Sequence, residues 1–431
     1  MVHNFYQKPG GEDTVFNNEK RLLEEHGHHV FTYTRNNNEI REFNLFQKLV
    51  LPLTTIFNIK TYYDIKRIVK ENSIDIIHVH NTLCLISPSI FYVAIKMKVP
   101  VIQTLHNFRM QCANGLFYRD DSICEDCIND GIICALKHKC YRNSYIQTLI
   151  VVIMMTIHRL IGIFKKINYI CLTKFNKQKL LLINKNIRVI DKNRVYVKPN
   201  FVFNDKKYSF KDSFRDYYKT EVFEGASDSV NNDNSYFYRS FNNVVNLELS
   251  KSSCTNILDR EYYLFIGRLD KIKGIDIVLG AFAKMPNRVL HVIGSGGMEY
   301  INEFSKYSNI KFLGHLAHDD VMKEMLGGRA LVFASKCYET FGMTIIEAYC
   351  NDLPVISNDI GNSRFIVRDK ITGICFSANS IDSLIAAIGK LDNADVKSLK
   401  TNARQEYEKK YSDKVAYNNL LGIYERILLT K

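Results

Sequence analysis

The sequence predicts an α/β protein built from two doubly wound parallel-sheet domains, and three observations carry that reading. Apolar runs with the length of buried strands alternate with helical stretches, which is how a parallel sheet covered on both faces reads. The chain has 431 residues, 46% of them hydrophobic, enough to fill two cores. Between the two series of strands lies a polar stretch, 203–259, rich in Asn, Asp, Ser and Tyr and without apolar periodicity. It reads as a mobile insertion or linker, with acceptor binding as the alternative role.

The first domain, 1–202, opens on Val2 and His3, the loop Pro9-Gly10-Gly11 and a helix from about 13 to 26. Gly10 and Gly11 let the backbone turn tightly or approach a ligand. Only two strand-compatible residues precede that loop, where a central strand typically runs about 5–6. The expectation is therefore a native start upstream of Met1, with a short apolar strand. No signal-peptide form is visible at Met1, and eleven cysteines, an odd number without a secretory context, favour a reducing cytoplasm.

Residues 30–33, 74–80 and 99–105 follow as strands. Ligands of such sheets gather at the carboxyl ends of the strands, where His78, His80 and His106 lie. Cys112, Cys124, Cys127, Cys134 and Cys140 come next. Thiolates at Cys-x2-Cys spacing with two flanking ones can close a tetrahedral zinc site; reduced structural thiols are the alternative. The apolar segment 149–164 is interrupted by His158 and Arg159 and is too short to span a bilayer, so it reads as a buried or interfacial helix. The window 151–200 holds a net charge of +10 out of +13 for the whole chain. Such a patch suits anionic lipid headgroups or a solvated face, and no nucleic-acid module accompanies it. Residues 168–173 and 194–201 read as the last strands of this domain.

The second domain, 260–404, opens on the strand 262–267, leading into Arg268 and Lys273 ahead of a helix. A guanidinium and an ammonium there can neutralise a leaving diphosphate. Gly294-Ser295-Gly296-Gly297 forms a second loop of that kind, and Phe312-Leu313-Gly314 follows. The strand 330–334 then runs into Ser335-Lys336-Cys337-Tyr338-Glu339-Thr340-Phe341-Gly342-Met343, and a helix from Thr344 to Cys350. Glu339 falls in the strand-to-helix loop and Glu347 within the helix. A helix N-terminus favours an anion, and carboxylates on either side of it suit the hydroxyls that flank a diphosphate.

This segment resembles the Glu-x7-Glu motif of the family 4 retaining glycosyltransferases. Gly267-Arg268-Leu269 with Lys273-Gly274, Val292 to Gly296, Phe312-Leu313-Gly314 and Leu353-Pro354-Val355-Ile356 stand in that family's order. The resemblance implies the GT-B fold, two Rossmann-like domains facing a cleft, with a terminal helix in 405–431 packing back on the first. It implies that Glu339 holds donor-sugar hydroxyls, Glu347 the ribose, and His106 the sugar from the opposing domain. Arg268 and Lys273 would neutralise the diphosphate. Gly10, Gly11, Gly294, Gly296, Gly314, Phe341, Gly342 and Met343 would line the substrate. Cys112, Cys124, Cys127 and Cys140 resemble the cysteine loop of a subgroup and would hold a structural zinc, with Cys134 spare. Phe365 departs from the pattern, which usually has an acidic residue there.

The activity so implied is transfer of a sugar from a nucleotide diphosphate sugar to a saccharide or lipid-linked saccharide, with retention, in cell-surface polysaccharide synthesis. No Asp-x-Asp occurs, so no catalytic metal clamp is expected. The expected place is the cytoplasm, peripheral on the inner face of the plasma membrane through contact with anionic lipid, with no nucleic-acid partner. The rivals are a sugar-nucleotide epimerase or hydrolase on the same fold, and a membrane-associated binding protein with a decayed site.

Overall fold

The computed structural model describes residues 1–7, 10–184, 189–204, 262–377 and 379–429. Pro9, and the polar insertion from residue 205 on, lie outside the described residues. Two six-stranded, all-parallel sheets form the framework. The first comprises β1 (Val2–Phe5), β2 (Tyr33–Asn36), β3 (Ile77–Val79), β4 (Val101–Leu105), β7 (Asn168–Cys171) and β8 (Val195–Val197), ordered β2-β1-β3-β4-β7-β8. A small antiparallel hairpin, β5 (Tyr118–Arg119) with β6 (Ser122–Ile123), stands apart from it. The second sheet comprises β9 (Tyr262–Ile266), β10 (Val289–Ile293), β11 (Ile310–Gly314), β12 (Ala330–Phe333), β13 (Val355–Asn358) and β14 (Gly373–Phe376), ordered β11-β10-β9-β12-β13-β14.

The reading of β1 as two residues is corrected. It runs Val2–Phe5, pairs with β2 at four positions and meets β3 through Val2 and Val79. Asn4 was unreadable as strand because it is polar and yet buried. Its amide nitrogen donates to Asn37 Oδ1 at 2.9 Å, and its Oδ1 accepts from the Leu85 N–H at 2.9 Å. A polar side chain satisfied on both ends is tolerated in a core. The edge strand β2 lies three residues beyond the apolar run expected at 30–33, because Tyr33, Thr34, Arg35 and Asn36 are what β1 pairs with.

Helices cover both faces of each sheet. In the second domain Tyr263, Phe265, Val292 and Val332 pack with the helices Ile275–Ala283 and Ile381–Asp392 in one apolar cluster. The apolar stretch near 149–164 is the helix Tyr145–Ile161, capped by Ser144 and ended by Gly162 at φ +76°. Val151, Val152, Met154 and Met155 are buried, and His158, also buried, bonds Tyr92 Oη at 2.8 Å and the Ile56 carbonyl at 2.9 Å. No described helix is long and apolar enough to cross a membrane.

The chain returns to the first domain at its end. Tyr407 Oη donates to the Val202 carbonyl at 2.9 Å. Beyond it, the helix Asp413–Leu429 sets Leu420, Ile423, Tyr424 and Ile427 against Leu23, Ile102 and Ile170.

Candidate active site

Strand order reverses between β1 and β3 in one sheet and between β9 and β12 in the other, and doubly wound sheets bind ligands beyond the carboxyl ends of the strands at such points. Here both sets of ends border one cleft of about 480 Å³. From the first domain it is lined by Gly10, Gly11 and His106, and from the second by Arg268, Lys273, Glu339, Phe341, Gly342 and Met343. The structure thus brings together nine of the residues expected at the site. Gly294, Gly296, Gly314 and Glu347 do not line that cavity.

The chemistry concentrates after β9 and β12. Past β9, a short turn Lys271–Lys273 is capped by Asp270, whose side chain accepts from the Lys273 N–H. Lys273 Nζ donates to Glu339 Oε1 at 2.5 Å, and Ser335 Oγ donates to the same oxygen at 2.7 Å. Burial works to raise the Glu339 carboxyl, but the Lys273 ammonium and the Ser335 hydroxyl outweigh it and hold it below the usual range. Burial likewise works to lower Lys273, and Glu339 reverses the sign. Arg268 is exposed toward the cleft, 3.4 Å from Asp270. Gly342, at φ +95°, caps the helix Met343–Cys350, a backbone conformation that L side chains rarely adopt. Glu347, in that helix, makes no side-chain hydrogen bond among the described residues, and burial raises its carboxyl to about 7.

The glycine loops support this centre from one side. A Cβ on Gly294 would stand 1.8 Å from the Gly267 carbonyl oxygen, so the loops after β9 and β10 touch backbone to backbone. Gly294 N–H donates to the Gly314 carbonyl at 2.8 Å, and Leu269 N–H to the Ser295 carbonyl at 3.0 Å.

Several cleft residues were not legible in the sequence. Tyr6, Glu12 and Arg109 line the first-domain wall. Glu12 follows the glycine loop directly and Arg109 follows His106 by three, so position beside a recognised residue was the available signal. A polar bridge also crosses the cleft. Thr340 Oγ1 donates to the His106 carbonyl at 2.9 Å, Asn176 Nδ2 to the Thr340 carbonyl at 2.6 Å, and Asn362 Nδ2 to Asn176 Oδ1 at 2.5 Å. Phe365, the departure from the acidic pattern, stands 6.2 Å from the Phe175 ring across the same boundary.

The cysteine loop draws its thiols together, with the Cys112 and Cys127 side chains in direct contact. Cys134 Sγ donates to Cys127 Sγ at 3.7 Å, and Cys112 Sγ to Asn114 Oδ1 at 2.9 Å. Among the described residues, no three cysteine sulfurs lie within 4.8 Å of one another. Cys112, Cys124, Cys127 and Cys140 would be the ligands of the structural zinc that the resemblance implies.

Residues 251–410 match the family model described as Glycosyl transferases group 1, and residues 9–121 match Glycosyltransferase Family 4, together more than half of the chain. An uncharacterized glycosyltransferase of Methanocaldococcus jannaschii is 27% identical over 164 residues, covering 36% of this chain and 42% of that protein. The O-antigen chain mannosyltransferase C of Escherichia coli is 28% identical over 178 residues, covering 39% of this chain and 48% of that protein. The chain spans less than half the length of these curated relatives. Anabaena HepE, crystallised in complex with UDP, matches with a TM-score of 0.62 at 13% identity, over 99% of both chains.

Two doubly wound domains whose reversal points face one cleft define a GT-B protein. With the ordered motifs of its second domain and both family models in place, the chain belongs to the family 4 glycosyltransferases.

Proposed function

We propose that the chain transfers a sugar from a nucleotide diphosphate sugar to a saccharide or lipid-linked saccharide, retaining the anomeric configuration, in the synthesis of cell-surface polysaccharide. The observation that carries this reading is the Lys273–Glu339–Ser335 cluster beside exposed Arg268, at a helix N-terminus and across the cleft from His106. The bond from sugar C1 to the diphosphate oxygen breaks while the acceptor oxygen bonds C1 on the same face. The acceptor proton passes to the departing phosphate oxygen. Arg268 and Lys273 take up the charge that develops there, Glu339 holds donor-sugar hydroxyls, and Glu347 accepts from the ribose. HepE, crystallised with UDP, and the O-antigen mannosyltransferase support a nucleotide-sugar donor and a polysaccharide product by likeness.

Glu339→Gln and Lys273→Ala should each lower turnover by about 10²–10³ with the melting temperature retained. Turnover near the wild-type rate in either variant, with a donor that the wild type uses, overturns the assignment.

The lipid-linked acceptor is favoured by an apolar surface on the first domain. The helix Leu45–Ile56 packs against Tyr145–Ile161, and Leu45, Phe46, Leu49 and Leu53 on the former and Leu160 and Ile161 on the latter are exposed. Lys48, Lys165 and Lys166 are exposed nearby in sequence. Apolar side chains beside lysines fit an anionic bilayer surface. The basic window 151–200 beside the apolar segment 149–164 led to this expectation; Leu45–Ile56 adds a further apolar face. Sedimentation with vesicles should rise with anionic lipid, fall with salt, and drop about tenfold in Phe46→Ser/Leu49→Ser. Binding indifferent to lipid charge and to the double substitution removes the membrane from the proposal.

A further inference from the structure

Resting on the assignment of His106 to the donor-sugar side of the cleft, we infer that Glu19 and His80 form a buried relay that fixes which nitrogen of His106 carries its proton, so that His106 meets a ligand hydroxyl as an acceptor. Glu19 lies on the helix Gly11–Glu25, His80 just past β3, and His106 just past β4. His106 Nε2 is 3.0 Å from His80 Nδ1, with the two rings stacked at 14°. His80 Nε2 and Glu19 Oε2 are both buried, neither has a hydrogen-bond partner elsewhere in the described structure, and at 3.3 Å apart each is placed to serve the other after a small adjustment of geometry. The other Glu19 oxygen accepts from Lys198 Nζ at 2.5 Å, and both side chains of that ion pair are fully buried.

The proton positions follow from what each group is able to do. Burial alone would raise the Glu19 carboxyl, but Lys198 and His80 outweigh it and keep it ionised, so it only accepts. His80 Nε2 is therefore the nitrogen that carries hydrogen. Burial disfavours the charged ring of His80, although Glu19 acts in the opposite sense, and a neutral imidazole has one N–H. His80 Nδ1 is then a lone pair, and His106 Nε2 must donate to it. Burial and His80 also hold His106 neutral, which leaves its Nδ1 as an acceptor.

The same carboxylate, with His78 and His80, has the spacing of a cation site. Lys198 already supplies the positive charge there. Both His78 nitrogens are engaged, Nδ1 with Tyr424 Oη at 2.6 Å and Nε2 with Thr104 Oγ1 at 2.7 Å. The geometry therefore favours a proton relay over a metal. Glu19 and His80 act through His106 and are positioning residues.

The test is long-range ¹⁵N correlation NMR of the full chain, which reads the tautomer of His106 without reference to activity. In the wild type Nε2 should carry the proton and Nδ1 should not; a proton on Nδ1 overturns the relay. Glu19→Met/Lys198→Met removes the acceptor together with its counter-charge, so no lone buried charge remains. It should release His106 to a mixture of tautomers and lower kcat/KM for the donor about tenfold. An unchanged tautomer in that variant also overturns the relay. His80→Gln, whose amide keeps one donor and one acceptor in line, should preserve the wild-type tautomer, and His80→Leu should lose it. A relay that behaves this way in a protein without transferase activity would sink the function proposed above and leave the relay standing.

Discussion

At the scale of single residues, Glu347 is the most exposed to test. Its carboxyl is raised to about 7 by burial, with no cation beside it to offset the cost. A carboxyl whose folded value lies above its unfolded value adds stability that is present at low pH and lost as pH rises through the folded value. Glu347→Gln should therefore melt about 2–4 °C above the wild type at pH 8.5, and the difference should vanish toward pH 5. Thermal melts across that range check it, and a difference independent of pH contradicts the buried, unpaired carboxylate. The cleft positions of Glu339, Arg268 and Lys273 were legible in the sequence, because a strand end and the loop after it place them locally, whereas Glu347 lies off the cavity. Glu19 and Lys198 were not legible. They are 179 positions apart, and nothing beside either residue marks a buried ion pair. The same holds for Asn176 and Asn362, which meet only because two domains close on one another.

Among the elements, β3, β4, β7, β9 and β12 were read within about three residues, since parallel strands covered on both faces appear as unbroken apolar runs, whereas β8 was read four residues too long and β10, β11, β13 and β14 were not read as strands. The strands β1 and β2 resisted, one for its satisfied polar core residues and the other as a half-exposed edge. The terminal helix Asp413–Leu429 offers a measurable consequence of its packing. Leu420 is fully buried among Leu23, Ile102 and Ile170, so Leu420→Ala removes contacts made with the other domain. The expected loss is about 2–5 kcal/mol in urea unfolding, the usual range for emptying such a position. A loss under about 1 kcal/mol would mean that the helix adds little to the first domain.

For the whole molecule, the decisive feature is how the donor loop is fastened. Tyr338, one residue before Glu339, packs within an aromatic nest of the first domain, its ring centroid 5.1 Å from Phe175, 6.3 Å from Phe117 and 6.5 Å from Phe108. Lys179 Nζ lies 5.1 Å from the same ring centre. Asp121 and Lys271 pair across the domains at the surface. Tyr338→Ala should loosen this fastening and increase the radius of gyration in solution scattering without nucleotide; an unchanged profile would assign closure to the polar bridge alone. Under the transfer proposed above, the nest would have a further consequence for the outcome of each turnover. Water is the commonest competitor of any sugar acceptor, and a donor held in an open cleft is spent by hydrolysis. Because the loop that carries Glu339 is wedged into the opposite domain one residue away, the same contact would, under the proposed function, both place the carboxylate and limit the entry of water. Selectivity for the acceptor over solvent would thereby be tied to an aromatic side chain that lines the cleft beside the carboxylate.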